Sequence, residues 1–223
     1  MSLAGIILLC AYGAMSLVNL FFCCRENETW RKRTKPFCLL LLLAFALVMD
    51  IHAYWIWGAL LFAWIGDVLF LFKHKKIFVA LGMLFFLASH VFYIAEIAAL
   101  LPTYGNEGSA DLWAFCMRFS PFLLLLAFPL SYWLARKDWK IAAVGTCYTS
   151  VLLCFVASSI FGLSEGLEVG FWMVLVGSIL YFASDFLNAY TLYGKKLRFR
   201  ELFIMVTYLI GQALIVVGFF YTK

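Results

Sequence analysis

Charge is the scarcest thing in this sequence. Asp, Glu, Lys and Arg make up 13% of 223 residues against 66% hydrophobic, and the mean hydropathy is +0.99. A water-soluble domain needs a polar coat, so such a composition along the whole chain excludes one and makes lipid the solvent. Histidine is nearly absent, with three residues, which leaves little material for a metal centre. Proline occurs four times: Pro36 at the start of an apolar segment, Pro102 after one, and Pro121 and Pro129 within a single one. The paired Gly/Pro interruptions that mark the unwound binding helices of transporters are therefore missing. The seven cysteines have no paired spacing and no CxxC, so they read as buried small hydrophobes and not as a disulfide or zinc framework. No basic stretch or small-residue cleavage site accompanies the first apolar segment, so a cleaved signal peptide is not expected. The longest interruption, 102–117, is too short to fold alone, which leaves function between the helices.

What is there instead is a succession of apolar segments of about 20 residues, each long enough to cross a hydrocarbon core of roughly 30 Å as a helix. Their limits predict helices over 3–23, 36–49, 54–72, 77–101, 119–135, 141–161, 170–192 and 202–221, the second being the shortest. The expected fold class is an all-α integral membrane protein, with eight transmembrane helices in one domain over 1–223. The few charges check that count. Arg25, Arg31, Lys32, Arg33 and Lys35 fall in the first loop, and Lys73, Lys75 and Lys76 in the third. Arg136, Lys137 and Lys140 fall in the fifth, and Lys195, Lys196, Arg198 and Arg200 in the seventh. Fifteen of the 17 Lys and Arg residues thus sit in alternate loops, while the others carry Asp50, Glu107, Asp111, Glu165 and Glu168, with Arg118 nearby. By the positive-inside rule the basic loops are cytoplasmic and both termini are outside. Trp55, Trp57, Trp113 and Trp172 then mark the outer interface, and Trp30, Trp133 and Trp139 the inner one. The net charge of +5 follows from this topology and is no sign of nucleic acid.

An acid inside a bilayer is costly and usually functional. Asp67, five residues before 72, and Asp185, seven before 192, stand well inside their segments. At 1.5 Å per residue both lie roughly 8–11 Å within the basic boundary, the common depth a shared site requires. Other polar residues gather there. Asn19 continues a face with Tyr12 and Ser16, Tyr148 lies two turns into the sixth helix, and Tyr208 and Gln212 are one turn apart on the eighth. Ser178, Tyr181, Asp185 and Asn188 share one side of the seventh helix, since steps of three and four stay on one face. His90 and Tyr93 form an i,i+3 pair nearer the midplane, where the floor of a polar pocket would lie. Each of these has a plainer reading: Ser178, Tyr181 and Asn19 as hydrogen-bonding glue between helices, His90 as a packing residue, and Glu96 as a side chain snorkelling to the outer interface. His74, among lysines, reads as solvated. Gly66-Asp67-Val68-Leu69 and Ser184-Asp185-Phe186-Leu187 each precede a Lys-rich loop and a helix, carrying His90 in one case and Tyr208 in the other. The likeness suggests a parallel four-plus-four pseudo-repeat, with the aspartates facing each other across an axis along the membrane normal.

Several segments resemble the YhhN family of lysoplasmalogenases in order and spacing. Lys35-Pro36 is similar to the Lys-Pro that opens its second helix, and Leu61 to Leu69 to its Gly-Asp helix. Phe85 to Tyr93 resembles its small-residue-His-x-x-Tyr helix, Gly177 to Asp185 its Ser-Asp helix, and Thr207 to Gln212 its closing Tyr-x-x-x-Gln. No one of these is specific, but five in order are. The likeness runs from Lys35 to the C-terminus. It implies hydrolysis of the vinyl-ether bond of lysoplasmalogens to a fatty aldehyde and a glycerophospho-alcohol, glycerophosphoethanolamine or glycerophosphocholine. It also implies a multi-pass protein of a bacterial cell membrane, or of the endoplasmic reticulum in a eukaryote. The partner is a lysophospholipid drawn from the cytoplasmic leaflet. A vinyl ether resists nucleophiles until carbon is protonated to an oxocarbenium ion, so the chemistry needs a general acid and a carboxylate that steadies the cation and directs water. Two carboxyls in one low-dielectric site do not ionise together easily, so one of Asp67 and Asp185 is expected to keep its proton; the sequence leaves open which. The expected catalytic residues are Asp67, Asp185 and His90, the last to polarise or position water. Tyr148, Tyr208 and Gln212 would fix the ether oxygen and the water. Lys35, at the cytoplasmic mouth, would meet the lipid phosphate, and Tyr93, Asn188 and Asn19 complete the binding set. No cofactor or metal is expected, since no second histidine stands at the depth of His90.

Two other classes compete. Presenilin-type intramembrane aspartyl proteases carry Gly-x-Gly-Asp, but Trp64 stands at the first Gly position here and no Pro-Ala-Leu occurs. A proton-coupled transporter would also use paired carboxylates, and is the main alternative to an enzyme. The topology gives the first prediction. Single-cysteine variants labelled from either side of intact membranes should place both termini and the loop after Pro102 outside, with Lys73 to Lys76 inside. A loop after Pro102 that labels from the cytoplasmic side would break the eight-helix topology.

Overall fold

The computed structural model describes residues 1–49, 54–72, 75–101, 108–135, 138–164, 169–192 and 198–222. The loop charges Asp50, Lys73, Glu107, Arg136, Lys137, Glu165, Glu168, Lys195 and Lys196, together with His74, lie outside these residues. The described residues form eight helices: α1 (Leu3–Cys24), α2 (Glu28–Val48), α3 (Tyr54–Phe70), α4 (Lys76–Leu100), α5 (Gly108–Leu134), α6 (Trp139–Ser164), α7 (Val169–Leu192) and α8 (Arg200–Tyr221). All except α2 and α3 are long and apolar enough to cross a membrane; α3 is apolar but shorter.

Two helices begin well before the hydropathy suggests. In α2 the Asn27 side chain accepts a hydrogen bond from the Trp30 amide at 3.2 Å, and Glu28 pairs with Lys32 one turn on at 2.7 Å. A cap and an i,i+4 ion pair hold a charged segment helical without any apolar stripe. Lys35-Pro36 is therefore inside α2 and not at its start. The proline removes one N–H from the ladder, which an otherwise capped and packed helix tolerates. α5 likewise starts at Gly108, so much of the segment read as a loop is helical, and Pro121 and Pro129 are both internal.

Consecutive helices pack as hairpins, α1 with α2, α3 with α4, α5 with α6 and α7 with α8. Further contacts join α2 to α3, α6 to α7, α4 to α6, α2 to α8, α1 to α8 and α4 to α5. Advancing every helix number by four, with α5 to α8 returning to α1 to α4, maps this set of neighbours onto itself. The core runs through Phe45, Ile56, Leu60, Tyr93, Ile97, Phe155 and Phe171. Leucines such as Leu17, Leu125 and Leu126 point outward, as they do when the surrounding medium is hydrocarbon. Trp30, Trp55, Trp113, Trp133, Trp139 and Trp172 are exposed as belt residues, whereas Trp57 turns inward against the core. Glu96 does not snorkel but is buried, at 5% exposure. Cys10, Cys24 and Cys147 face outward, which corrects the reading of all seven cysteines as buried; Cys116 and Cys154 approach to 3.2 Å between α5 and α6 without a bond.

The closest helix pair is α7 with α8, and glycine is the reason. A Cβ on Gly177 would lie 2.8 Å from the Gly211 carbonyl oxygen, and one on Gly218 2.6 Å from that of Gly170. Seven residues separate the glycines along each helix, so one side of each keeps facing the other, and the backbones touch. The same register continues to Ser184, whose hydroxyl donates to the Ile204 carbonyl at 3.1 Å, one residue from Asp185. Gly177→Ala should destabilise the protein by about 1–3 kcal/mol through overpacking against backbone. Gly13→Ala, where a Cβ meets nothing within 4 Å, should not. Thermal unfolding in detergent checks the pair, and equal melting temperatures would refute the seam.

Candidate active site

The sequence motifs meet at the basic ends of α2, α3, α7 and α8. Asp67 projects from α3 and is buried, with 1% exposure. Its Oδ1 lies 2.8 Å from the Lys35 ammonium of α2, and its Oδ2 accepts from the Tyr208 hydroxyl of α8 at 2.9 Å. One carboxylate thus binds three helices together. Beside it the Trp64 indole N–H donates to the Pro36 carbonyl at 3.1 Å, so the Lys-Pro and Gly-Asp segments are two halves of one contact. Gly66 leaves room for the Phe86 ring of α4, which would stand 3.0 Å from any Cβ there. Asp185, on α7 and partly buried, accepts from the Tyr148 hydroxyl of α6 at 2.5 Å. Among the described residues no Lys or Arg pairs with it.

Asp67 and Asp185 line one polar cavity, together with Lys35, Asn188, Tyr208 and Ser184. Arg31, Lys32 and Glu201 line its outer part. Arg31 donates to Glu201 at 2.7 Å, joining the first turn of α2 to the first turn of α8. Neither residue is singled out by the sequence reading, which takes Arg31 as a loop charge. The signal was the cap at Asn27 and the Glu28–Lys32 spacing, which carry the helix back over Arg31. A second cavity, with mostly apolar walls, adjoins the first. Both share Phe70, Phe86, Asp185 and Asn188, and Tyr148 lines the second.

The other expected residues stand back from both linings. His90 is fully buried, its Nδ1 2.6 Å from the Phe86 carbonyl of its own helix, so that nitrogen carries a proton. Its ring packs against Tyr181 at 4.6 Å between centroids and against Tyr148 and Phe155 edge-on. The ring is thus packed against α6 and α7 and is in the lining of neither cavity. Tyr93 donates to Gln212 Oε1 at 2.7 Å, both fully buried, linking α4 to α8 one turn beyond Tyr208. Asn19 donates to the Arg31 carbonyl at 3.0 Å and to Thr34 Oγ1 at 2.8 Å, tying α1 to the polar part of α2. Ser178 bonds within its own helix, to Leu175. Tyr93, Gln212 and Asn19 act as supports between the helices that carry the cavity.

The YhhN family model matches residues 30–219. This chain belongs to the YhhN family. No curated protein and no solved structure matches it. The YhhN family is the lysoplasmalogenase-type family, and the chain is a multi-pass integral membrane protein. The matched span takes in Lys35, Asp67, Tyr148, Asp185, Asn188, Arg31, Glu201 and Tyr208, and leaves out Asn19 with the whole of α1. Lys35 lines the polar cavity and is paired there with Asp67. Lys35→Met should therefore destabilise the folded protein by about 3–5 kcal/mol, because it strands a buried carboxylate. Lys35→Met combined with Asp67→Asn should recover most of that loss, since the charge and its partner go together. Additive losses in a double-variant melting series would show the pair is not coupled.

Proposed function

We propose that this YhhN-family protein hydrolyses the vinyl-ether bond of lysoplasmalogens, in a site entered from the cytoplasmic leaflet. The observation that carries the reading is that Asp67 and Asp185, on different helices, line a single cavity, each with a tyrosine hydroxyl on it. The family match supports the reaction class. The chemistry follows from the difference between the two carboxyls. Asp67, beside an ammonium, is the anionic one and faces the developing positive charge. Asp185, with a hydroxyl and no cation, delivers a proton to the β-carbon of the alkenyl ether. The resulting oxocarbenium ion takes up water at its α-carbon, the water losing a proton to a carboxylate. The hemiacetal then collapses to a fatty aldehyde and the free glycerol hydroxyl. Tyr208 and Tyr148 hold the carboxyls in place, and Asn188, on both cavities, is placed to bond the ether oxygen. Lys35, Lys32 and Arg31 supply positive charge where the lipid phosphate would arrive. The neighbour pattern that repeats after four helices supports an origin by duplication. The pairing repeats only in part: Lys35 of α2 on Asp67 corresponds to Tyr148 of α6 on Asp185, whereas the Tyr208 contact from α8 has no counterpart in His90 on α4, which bonds within its own helix.

The test is aldehyde release from lysoplasmalogen by purified protein in detergent, which a transporter would not give. Asp67→Asn and Asp185→Asn should each lower kcat by roughly 10²–10⁴, the range for a lost general acid or base. The double variant should be little worse than either, since the two act as a unit. Full activity in either folded variant would remove the carboxyl pair from the reaction.

A further inference from the structure

The apolar cavity reaches Asp185 at one side and runs on beyond the carboxyl pair, and its walls point to a ligand of their own. It lies between Leu130, Ser131 and Leu134 of α5, Tyr148, Thr149 and Leu152 of α6, and Phe182 and Phe186 of α7, with Phe70, Met83 and Phe86 behind. Its walls carry no lysine or arginine. The polar cavity, by contrast, carries Arg31, Lys32 and Lys35. The two meet at Asp185, Asn188, Phe70 and Phe86, so a molecule spanning both is polar at one end and apolar at the other, with its middle at Asp185. α5 and α7 both line the apolar cavity but pack little against each other along their lengths. Near their basic ends the Trp133 and Tyr190 rings bridge them, 6.2 Å between centroids. What lies beside two such helices in a bilayer is a lipid chain, and one that parts this single ring contact would reach the cavity.

We propose that this cavity is the binding site for the single hydrocarbon chain of the substrate, entered sideways between α5 and α7, and that Thr149 and Met83 set the chain length it accepts. The proposal rests on the hydrolase reading for the identity of the head group, but not for the existence of the site. A chain leaving the bilayer for the cavity moves from one apolar medium to another, so hydrophobic transfer supplies little selectivity. Fit supplies it: each methylene that has no room must displace packed side chains.

Binding of a homologous series of saturated 1-O-alkyl lysophospholipids, which lack the vinyl bond and are not cleaved, reads the site directly. In mixed micelles, Thr149→Phe should weaken the longest members by roughly tenfold relative to the shortest, the cost of overpacking. Met83→Ala should shift the preference the other way, and serves if the first variant folds poorly. Leu125→Phe, on the outward face of α5 at 71% exposure, should leave the profile as it is. The same ranking should appear in kcat/KM for the alkenyl series. Binding that shifts with chain length in a protein that releases no aldehyde would leave the chain site standing and remove the hydrolase reading. Aldehyde release with a chain-length profile unmoved by both cavity variants would overturn the chain site, and so would equal loss at every length, the mark of a cavity filled by bulk lipid.

Discussion

A buried carboxylate cannot stand alone in a low-dielectric interior, and the Lys35–Asp67 pair is how this protein meets that constraint. An ion of this size loses several kcal/mol of hydration on burial, and only a close counter-charge with further hydrogen bonds offsets it. Here the counter-charge comes from α2, the hydrogen bond from Tyr208 on α8, and the carboxylate from α3. Satisfying one group therefore fixes three helices, and the polar cavity is the space those helices leave. Arg31 with Glu201 repeats the solution nearer the boundary, again between α2 and α8.

The α7–α8 seam is the second constraint, and it acts through shape where the first acts through charge. Glycines 170, 177, 211 and 218 set the register of the two backbones, and Ser184 carries it to the residue before Asp185. Because α8 also presents Tyr208 to Asp67, the seam links the surroundings of one carboxyl to those of the other. Tyr93, Gln212, Asn19 and His90 brace the same frame from behind.

The sequence was legible where energy is spent conspicuously. Apolar runs disclosed the helices, and Asp67 and Asp185 stood out because acids in hydrocarbon are costly. Tyr148, Asn188 and Tyr208 followed from depth and helical face and Lys35 from the family resemblance, and all four line the cavities. The starts of α2 and α5 were missed because hydropathy registers solvent preference, while Asn27 and Glu28 make helix by capping and pairing. Where the His90 ring turns was not legible, because depth and face say nothing of an imidazole that a neighbouring carbonyl holds. The pairing of Tyr208 with Asp67 and Tyr148 with Asp185 joins residues 141 and 37 positions apart, a choice no local pattern encodes.

The Lys35–Asp67 pair also has a place in time. During synthesis α2 emerges before α3, so the cation is already present when the carboxylate enters the bilayer, and Asp67 need never be inserted as a lone charge. Tyr208 comes on α8, well after Asp67, and Asp185 on α7 just before it. A nascent chain can thus assemble hairpin by hairpin without exposing lipid to an unmatched ion, yet holds no complete carboxyl pair until its final two helices lock along their glycines. Protection of the membrane is established early, and reactivity is withheld to the end.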